Sequence, residues 1–375
     1  MSDAPIASVI MPAHNAEPYI ARAIDSVLGQ TLAGLELIIV DDDSSDGTGD
    51  VARARAAGDA RIRYLRRDRK GGPGVARNTA IAASRGVWIA VLDADDWYEP
   101  TRLEILINAA DRDGVPVAGD NQRFVQAADG AWDETLVETG DAHVRRLNAD
   151  DLLRGDRLQR TSRNLGLLKP VIRREFLSRH NISYDSEITL GEDFYFLLKC
   201  LRYSPHMVLV TEPLYNYRIY VPLTHTKTQT MEGFLSLRTL HGRYMGLFDA
   251  RTAPSTAGLM EQRRDDIERY IRFKQLAESG TAPWADVAKA SSGAHADDPQ
   301  GEREVKAQVR VIGEGADDAF ELPDAVAQRV VVEVQPARGL GDVEVGVDEH
   351  LQRLAQVFGL LAGSGQVAER LLYEA

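Results

Sequence analysis

Leu35-Glu36-Leu37-Ile38-Ile39-Val40-Asp41-Asp42-Asp43-Ser44-Ser45-Asp46-Gly47-Thr48 is the stretch whose reading sets the fold class. An apolar run stops abruptly in carboxylates and small turn formers. This reads as a buried strand, Leu35 to Val40, an acidic turn, Asp41 to Gly47, and a helix from Thr48 to Ala57. Upstream, Ala7 to Met11 reads as a short apolar strand ended by Pro12. A helix follows from Pro18 to Leu28, with Ile20, Ile24, Val27 and Leu28 at helical spacing. Downstream, Arg61 to Leu65 is a third strand, Val75 to Ser84 a helix and Val87 to Leu92 a fourth buried strand. Strands alternating with helices at this spacing predict an α/β fold around a parallel sheet. Such sheets bind ligands beyond the carboxyl ends of their strands, where Pro12, Asp41 and Asp93 fall.

The rest of the chain sets limits. At 375 residues, with 44% hydrophobic and 27% charged residues, it has globular composition. No window approaches the roughly 20 apolar residues of a membrane span. The start, Met1-Ser2-Asp3-Ala4-Pro5, lacks the pattern of a signal peptide. Cys200 is the only cysteine, which excludes an intrachain disulfide and a cysteine-based zinc site, and a reducing cytoplasmic setting is expected. The net charge is −13, and residues 281–375 hold 17 acids against 8 bases, so bulk charge argues against nucleic-acid binding. Residues 145–180 are the exception, with nine Arg and one Lys against Asp150, Asp151, Asp156 and Glu175.

From about 111 to 230 the pattern is mixed: short strands, an Arg-rich helical stretch and a helix at Phe194 to Tyr203. Residues 232–278 read as two helices, the first with Phe234, Leu235, Leu237, Leu240, Tyr244, Leu247 and Phe248 broadly on one side, suited to core packing or to a membrane surface. Residues 279–302 read as a linker. Beyond them, alternating valines at 305–311, 330–334 and 343–347 and a helix from Asp348 to Leu361 make a small acidic α+β appendage.

The sharpest chemical feature is Leu92-Asp93-Ala94-Asp95-Asp96-Trp97, three carboxylates just past a buried strand. Hard oxygens at an open site suit Mg²⁺ or Mn²⁺, with diphosphate oxygens completing the shell. Alone, the triplet also reads as a solvated acidic turn before the helix near Pro100, but the second acidic cluster at Asp41 favours a site. There Asp41 and Asp42 can accept from a base N–H or ribose hydroxyls while Asp46 caps the helix. Met11-Pro12-Ala13-His14-Asn15 supplies backbone groups and a flat ring. Lys70-Gly71-Gly72-Pro73-Gly74 leads into a helix but is neither a Walker loop nor a Rossmann fingerprint.

Together, Val9-Ile10-Met11-Pro12-Ala13-His14-Asn15-Ala16-Glu17, Ile39 to Thr48, Gly74-Val75-Ala76-Arg77-Asn78 and Leu92 to Asp96 resemble glycosyltransferase family 2, from about Ala7 to Lys227. The resemblance implies the GT-A nucleotide-sugar-binding fold: α/β, with a mixed, mainly parallel sheet. The organisation is then 1–230 catalytic (1–110 nucleotide-binding, 111–230 acceptor), 231–278 helical, 279–302 linker and 303–375 the acidic module. Pro12, Ala13, His14, Asn15, Glu17, Asp41, Asp42, Arg77, Asp93, Ala94 and Asp95 become the expected nucleotide-sugar contacts. The expected metal ligands are Asp95, Asp93 and Asp96, with His225, after Thr224, as a further contact. The resemblance also implies an inverting transfer and a base in a Glu-Asp pair, matched by Gly191-Glu192-Asp193, with Asp193 the base and Glu192 its neighbour. From the residues alone, that pair reads more readily as a favourably charged helix start, and the other motifs turn the reading toward a base.

Asp120-Asn121 and Gly166 to Leu177 are similar to family 2 enzymes of bacterial exopolysaccharide assembly, succinoglycan glucosyltransferases among them. That implies a hexose, glucose, passed from a UDP-sugar to a saccharide or a polyprenyl-diphosphate-linked oligosaccharide at the inner membrane face. Lys169, Arg173 and Trp97 are the expected acceptor contacts. The basic 145–180 stretch suits phosphates and anionic membranes. No nucleic acid is expected, and oligomerisation is left open. A nucleotidyltransferase and a non-catalytic carbohydrate-binding protein on the same fold are the alternatives.

Overall fold

Why the apolar runs become the centre of a sheet is visible in their burial: every residue of β1 (Ala7–Ala13) and β2 (Leu35–Asp41) is buried, as expected of parallel strands covered on both faces. The computed structural model describes residues 4–126, 134–137, 143–155, 165–187, 191–219, 231–279, 308–311 and 318–321. Its other strands are β3 (Ile62–Arg66), β4 (Trp88–Val91), β5 (Trp97–Tyr98), β6 (Val117–Gln126), β7 (Glu134–Thr135), β8 (Val144–Leu147), β9 (Val171–Arg173), β10 (Met207–Ile219), β11 (Gln308–Val311) and β12 (Asp318–Glu321). The helices are α1 (Glu17–Leu28), α2 (Thr48–Gly58), α3 (Pro73–Ala83), α4 (Arg102–Asp113), α5 (Ala149–Gly155), α6 (Arg174–Arg179), α7 (Glu192–Tyr203), α8 (Met231–Tyr244) and α9 (Pro254–Ser279).

The main sheet runs β3-β2-β1-β4-β9-β6-β10-β5, with β7 on β6 and β8 on β10. Strands β3, β2, β1 and β4 are mutually parallel, and β10 is parallel to β6; β9 runs antiparallel between β4 and β6. This is the mixed, mainly parallel α/β sheet expected. Helix α3 packs on β1 and β2, and α4 on β6 and β10. One core layer is built from every second residue of β1, β2 and β4, all on one face of the sheet, together with Ile20, Ile24, Val27, Leu103 and Leu106 from the helices.

Pro12 does not end β1, which continues to Ala13. The Ile10 carbonyl accepts from Leu92 on the β4 side and the Ala13 carbonyl from Asp42 on the β2 side. Pro12 therefore faces the β4 side, beyond Ile10 where that ladder stops, and its missing N–H removes no sheet bond. The register of β10 breaks between Val210 and Tyr215, around Pro213, before the strand delivers Tyr215 and Arg218 to the carboxyl edge. Phe234, Leu237, Leu240 and Phe248 are buried, which supports packing over a membrane contact, and only Leu235 of that set is an exposed large apolar residue. Among the described residues no helix is long and apolar enough to cross a membrane.

The chain divides into two compact units, Met1–Leu223 with Thr239–Arg263, and Thr224–Arg238 with Arg264–Ala375. In the second, β11 and β12 pair antiparallel. The remaining expected tail elements and nearly all of the expected linker lie outside the described residues, as does His225.

Candidate active site

The turns after β1 and β2 are stitched to each other. His14 Nδ1 lies 2.9 Å from the Asp42 carbonyl, which can only accept, so Nδ1 carries the proton. Asn15, at φ 51°, accepts from the Ser45 amide at 2.9 Å, and Glu17 accepts from the Gly47 amide at 2.9 Å. Asp46 accepts from the Thr48 amide, the first of α2, at 3.0 Å. Asp41 is fully buried and accepts from Tyr64 Oη (2.7 Å), Arg66 Nη1 (2.9 Å) and the Ser44 amide (2.8 Å). Burial alone would raise its carboxyl, but the hydrogen bonds from Ser44 and Tyr64 and the charge of Arg66 hold it below the ordinary value. Asp42 accepts from the Gly71 amide at 3.0 Å, the Gly72 amide at 2.7 Å and Arg67. The anion seat at the mouth of α3, where Gly72 has φ 87°, is thus filled by a carboxylate of the chain itself.

Deeper in, Gly74-Val75-Ala76-Arg77-Asn78 explains itself residue by residue. A Cβ on Gly74 would lie 3.0 Å from the Asp185 carbonyl. Asn78 clamps the Tyr184 backbone with two bonds, 2.8 and 2.9 Å. Arg77, 2% exposed, lies over the Tyr184 ring and sends one nitrogen to Asp93 (2.6 Å) and the other to Glu192 and Asp193 (3.0 Å each). Lys169, 3% exposed, sits 2.8 Å from the other Asp93 oxygen and against Asp193 Oδ2. Three carboxylates and two cations thus share one cluster, in which Arg77, Lys169 and Asp193 are buried and Asp93 and Glu192 half-buried. Burial alone would lower Lys169 and Arg77, but Asp193 and Asp93 hold both well above their ordinary values. Burial would raise Asp93, yet Arg77 and Lys169 hold it below the usual carboxylate range. Burial, then the Asp193 charge, pushes Glu192 up.

The acidic triplet splits into three environments. Asp93 belongs to the cluster. Ala94 is buried in the turn closed by the Asp96 amide on the Asp93 carbonyl at 3.1 Å. Asp96 accepts from Tyr215 Oη at 2.6 Å and the Arg218 amide at 2.8 Å, and burial, then Asp95 and Asp93, push its carboxyl well up. Asp95 is half-buried, and its carbonyl accepts from Arg218 Nε at 2.8 Å. Among the described residues no group of three or more His, Cys, Asp or Glu side chains is arranged to hold a metal. Asp93 is engaged by Arg77 and Lys169, and Asp96 by Tyr215 and Arg218, so the triplet does not converge as a three-carboxylate cage; Mg²⁺ tolerates one or two carboxylates completed by substrate phosphate oxygens.

The expected acceptor contacts separate. Lys169 is buried in the cluster. Trp97 is covered by the guanidinium groups of Arg22, 3.4 Å from its ring centroid, and Arg218, 5.1 Å. Arg173 pairs with Trp88 in register, at the opposite end of β4, roughly 16 Å from Asp93 at the ~3.3 Å rise per residue. There it meets Asp111 and the Trp88 ring, so it does not join the site. Much of the basic stretch is neutralised at home: Arg146 by Asp113, Arg154 by Asp150, Arg179 by Glu175. Tyr184, Tyr215 and Arg102 carry no sequence signal of their own, because their roles arise from burial; Asp120, part of the exopolysaccharide-enzyme resemblance, is the buried partner of Arg102.

This fold is found in solved structures. S. aureus TarS 1-349 in complex with UDP-GlcNAc matches with a TM-score of 0.53 at 17% identity, covering 76% of this chain and 79% of that one. The class so defined is the GT-A fold expected from sequence. Residues 8–156 match the family model described as Glycosyl transferase family 2. Succinoglycan biosynthesis protein ExoO of Rhizobium meliloti (strain 1021) is 35% identical over 215 residues, 57% of this chain and 61% of ExoO. ExoU of the same organism is 37% identical over 188 residues, 50% of this chain and 54% of ExoU. The chain therefore spans little more than half the length of these relatives. Over residues 8–156 it is similar to the family 2 glycosyltransferases.

Proposed function

We propose that this protein transfers a hexose, glucose, from a UDP-sugar to a hydroxyl of a polyprenyl-diphosphate-linked oligosaccharide in bacterial surface-polysaccharide synthesis, with inversion at the anomeric carbon. The observation that carries this reading is the cluster joining Asp93 to Glu192 and Asp193 through Arg77 and Lys169, at the carboxyl edge of a family 2 sheet. Arg77 and Glu192 are 115 positions apart in sequence. The names of the two succinoglycan relatives favour an exopolysaccharide acceptor, and the UDP-GlcNAc bound to TarS favours a UDP-linked donor.

In this reading the base and ribose lie against His14, Asn15 and the Asp41–Asp42 turn, and the diphosphate lies toward Asp95. Asp95 would hold Mg²⁺ or Mn²⁺, which when bound neutralises charge on the leaving diphosphate. The acceptor oxygen attacks C1 from the opposite face as Asp193 takes its proton, and the C1–O bond to the diphosphate breaks. Glu192 stands beside Asp193 and shares Arg77 with it. Work at the inner membrane face belongs to the same proposal. The test is release of UDP from a panel of UDP-sugars, with and without Mn²⁺ and a lipid-linked acceptor. Acceptor-dependent release that needs the metal supports the reading, and its absence across the panel contradicts it.

A further inference from the structure

Lys169 lies among residues expected to touch the acceptor, yet its ammonium is sealed inside the cluster, one carboxylate on either side. Its backbone is held as firmly. The Lys169 carbonyl accepts from Arg102, whose guanidinium is locked on Asp120 at 2.7–3.1 Å and lies over the rings of Tyr98 and Tyr215. On one flank the Leu167 carbonyl accepts from Gln122 at 2.8 Å, and on the other the Pro170 carbonyl accepts from Val91 at 3.3 Å. Anchoring at both ends removes the rotamer freedom of a long, flexible side chain.

We propose that Lys169 is a positioning residue that fixes the Asp193 carboxylate relative to Asp93, and so sets the base against the donor. This rests on the proposed transfer. Asp193 is the second residue of α7, and of the cations beside its carboxylate, Arg77 arrives from α3 and Lys169 from the segment before β9. Arg77 Nη1 gives its hydrogen bond to Glu192 and only stands 3.0 Å from Asp193 Oδ1, a buried oxygen that accepts no hydrogen bond among the described residues, so it leaves the carboxylate free to turn. Lys169 on Oδ2 removes that freedom. Being buried, Lys169 acts through Asp193 and touches no substrate.

The test is a double-mutant cycle on the full chain with Lys169→Met and Asp193→Asn, reading donor KM and kcat for transfer, with thermal melting as the check on folding. Lys169→Met is expected to lower kcat by at least about tenfold while donor KM moves less than about threefold. Added to Asp193→Asn, it should lower kcat by less than about twofold, because residues acting through one another are not additive. Full additivity of the two losses, or an unchanged kcat in Lys169→Met, overturns the inference while leaving the transfer reading in place. If Asp193→Asn itself transfers at the wild-type rate, the reading of the base falls first, and this inference with it. Should Lys169→Met fail to fold, Lys169→Gln takes its place in the same cycle under the same criteria.

Discussion

Arg77 answers three carboxylates with one guanidinium. Removing it leaves the buried Asp193 and the half-buried Asp93 and Glu192 with Lys169 alone for compensation. Arg77→Leu should therefore destabilise the fold by about 3–5 kcal/mol in urea unfolding, the scale for stripping one partner from a buried ion pair. A cost below about 1 kcal/mol would show that the cluster is not closed as described. At the other carboxylate turn, Asp42 holds the Gly71–Gly72 loop and, through its carbonyl, His14. Asp42→Ala should weaken UDP binding by roughly 1–3 kcal/mol, whether the carboxylate meets the base or only holds the loop that does. Calorimetric titration with UDP measures it, and an unchanged dissociation constant would remove Asp42 from the nucleotide site.

Elements were legible where one signal settled them. Strands β1 to β4 and helices α1 to α3 follow from apolar runs cut off by carboxylates, glycine or proline, and all of them form within a residue or two of expectation. Arg173 shows what sequence proximity hides. It is four residues from Lys169, but β9 runs antiparallel to β4, so those four residues carry the chain from the carboxyl end of the sheet toward the amino end. The engagement of Asp96 by Tyr215 was equally hidden, because the two meet only when β10 pairs with β5. At the amino end of β2, Glu36 is buried and accepts from Ser8 Oγ (2.7 Å), the Arg85 amide (2.8 Å) and the Arg85 side chain (3.0 Å). Burial would raise its carboxyl, but the Ser8 and Arg85 bonds hold it below the ordinary value. A depressed folded-state value contributes stability that is present above the ordinary glutamate range and lost as the pH falls through the folded-state value. Glu36→Gln should thus cost about 1–2 kcal/mol at pH 7, with the exposure of Arg85 limiting the effect. Unfolding curves at pH 7 and below pH 4 should show the gap to wild type shrinking on acidification; a constant gap would mean that the charge contributes nothing.

At the scale of the whole chain, we propose that residues 1–278 fold alone and that the acidic tail has an accessory or associating role. The tail has few aromatics, 4 of the chain's 25 after residue 280, and a charge of −9 over 281–375. A chain ending at Glu278 should melt cooperatively and bind UDP like the full chain; if it unfolds, the tail is part of the main core. The measurement that bears most directly on the proposed chemistry sets binding against turnover. UDP-sugar affinity and transfer rate are compared for wild type, Asp193→Asn, Glu192→Gln and Asp95→Ala, each with Mn²⁺ and in chelator. Asp193→Asn should keep donor affinity and lose at least the ~10²-fold in rate typical of a missing base, while Asp95→Ala should lose both. Undiminished transfer by both Asp193→Asn and Glu192→Gln would contradict the assignment of this cluster as the catalytic centre, and full activity of Asp95→Ala in chelator would overturn the metal assignment.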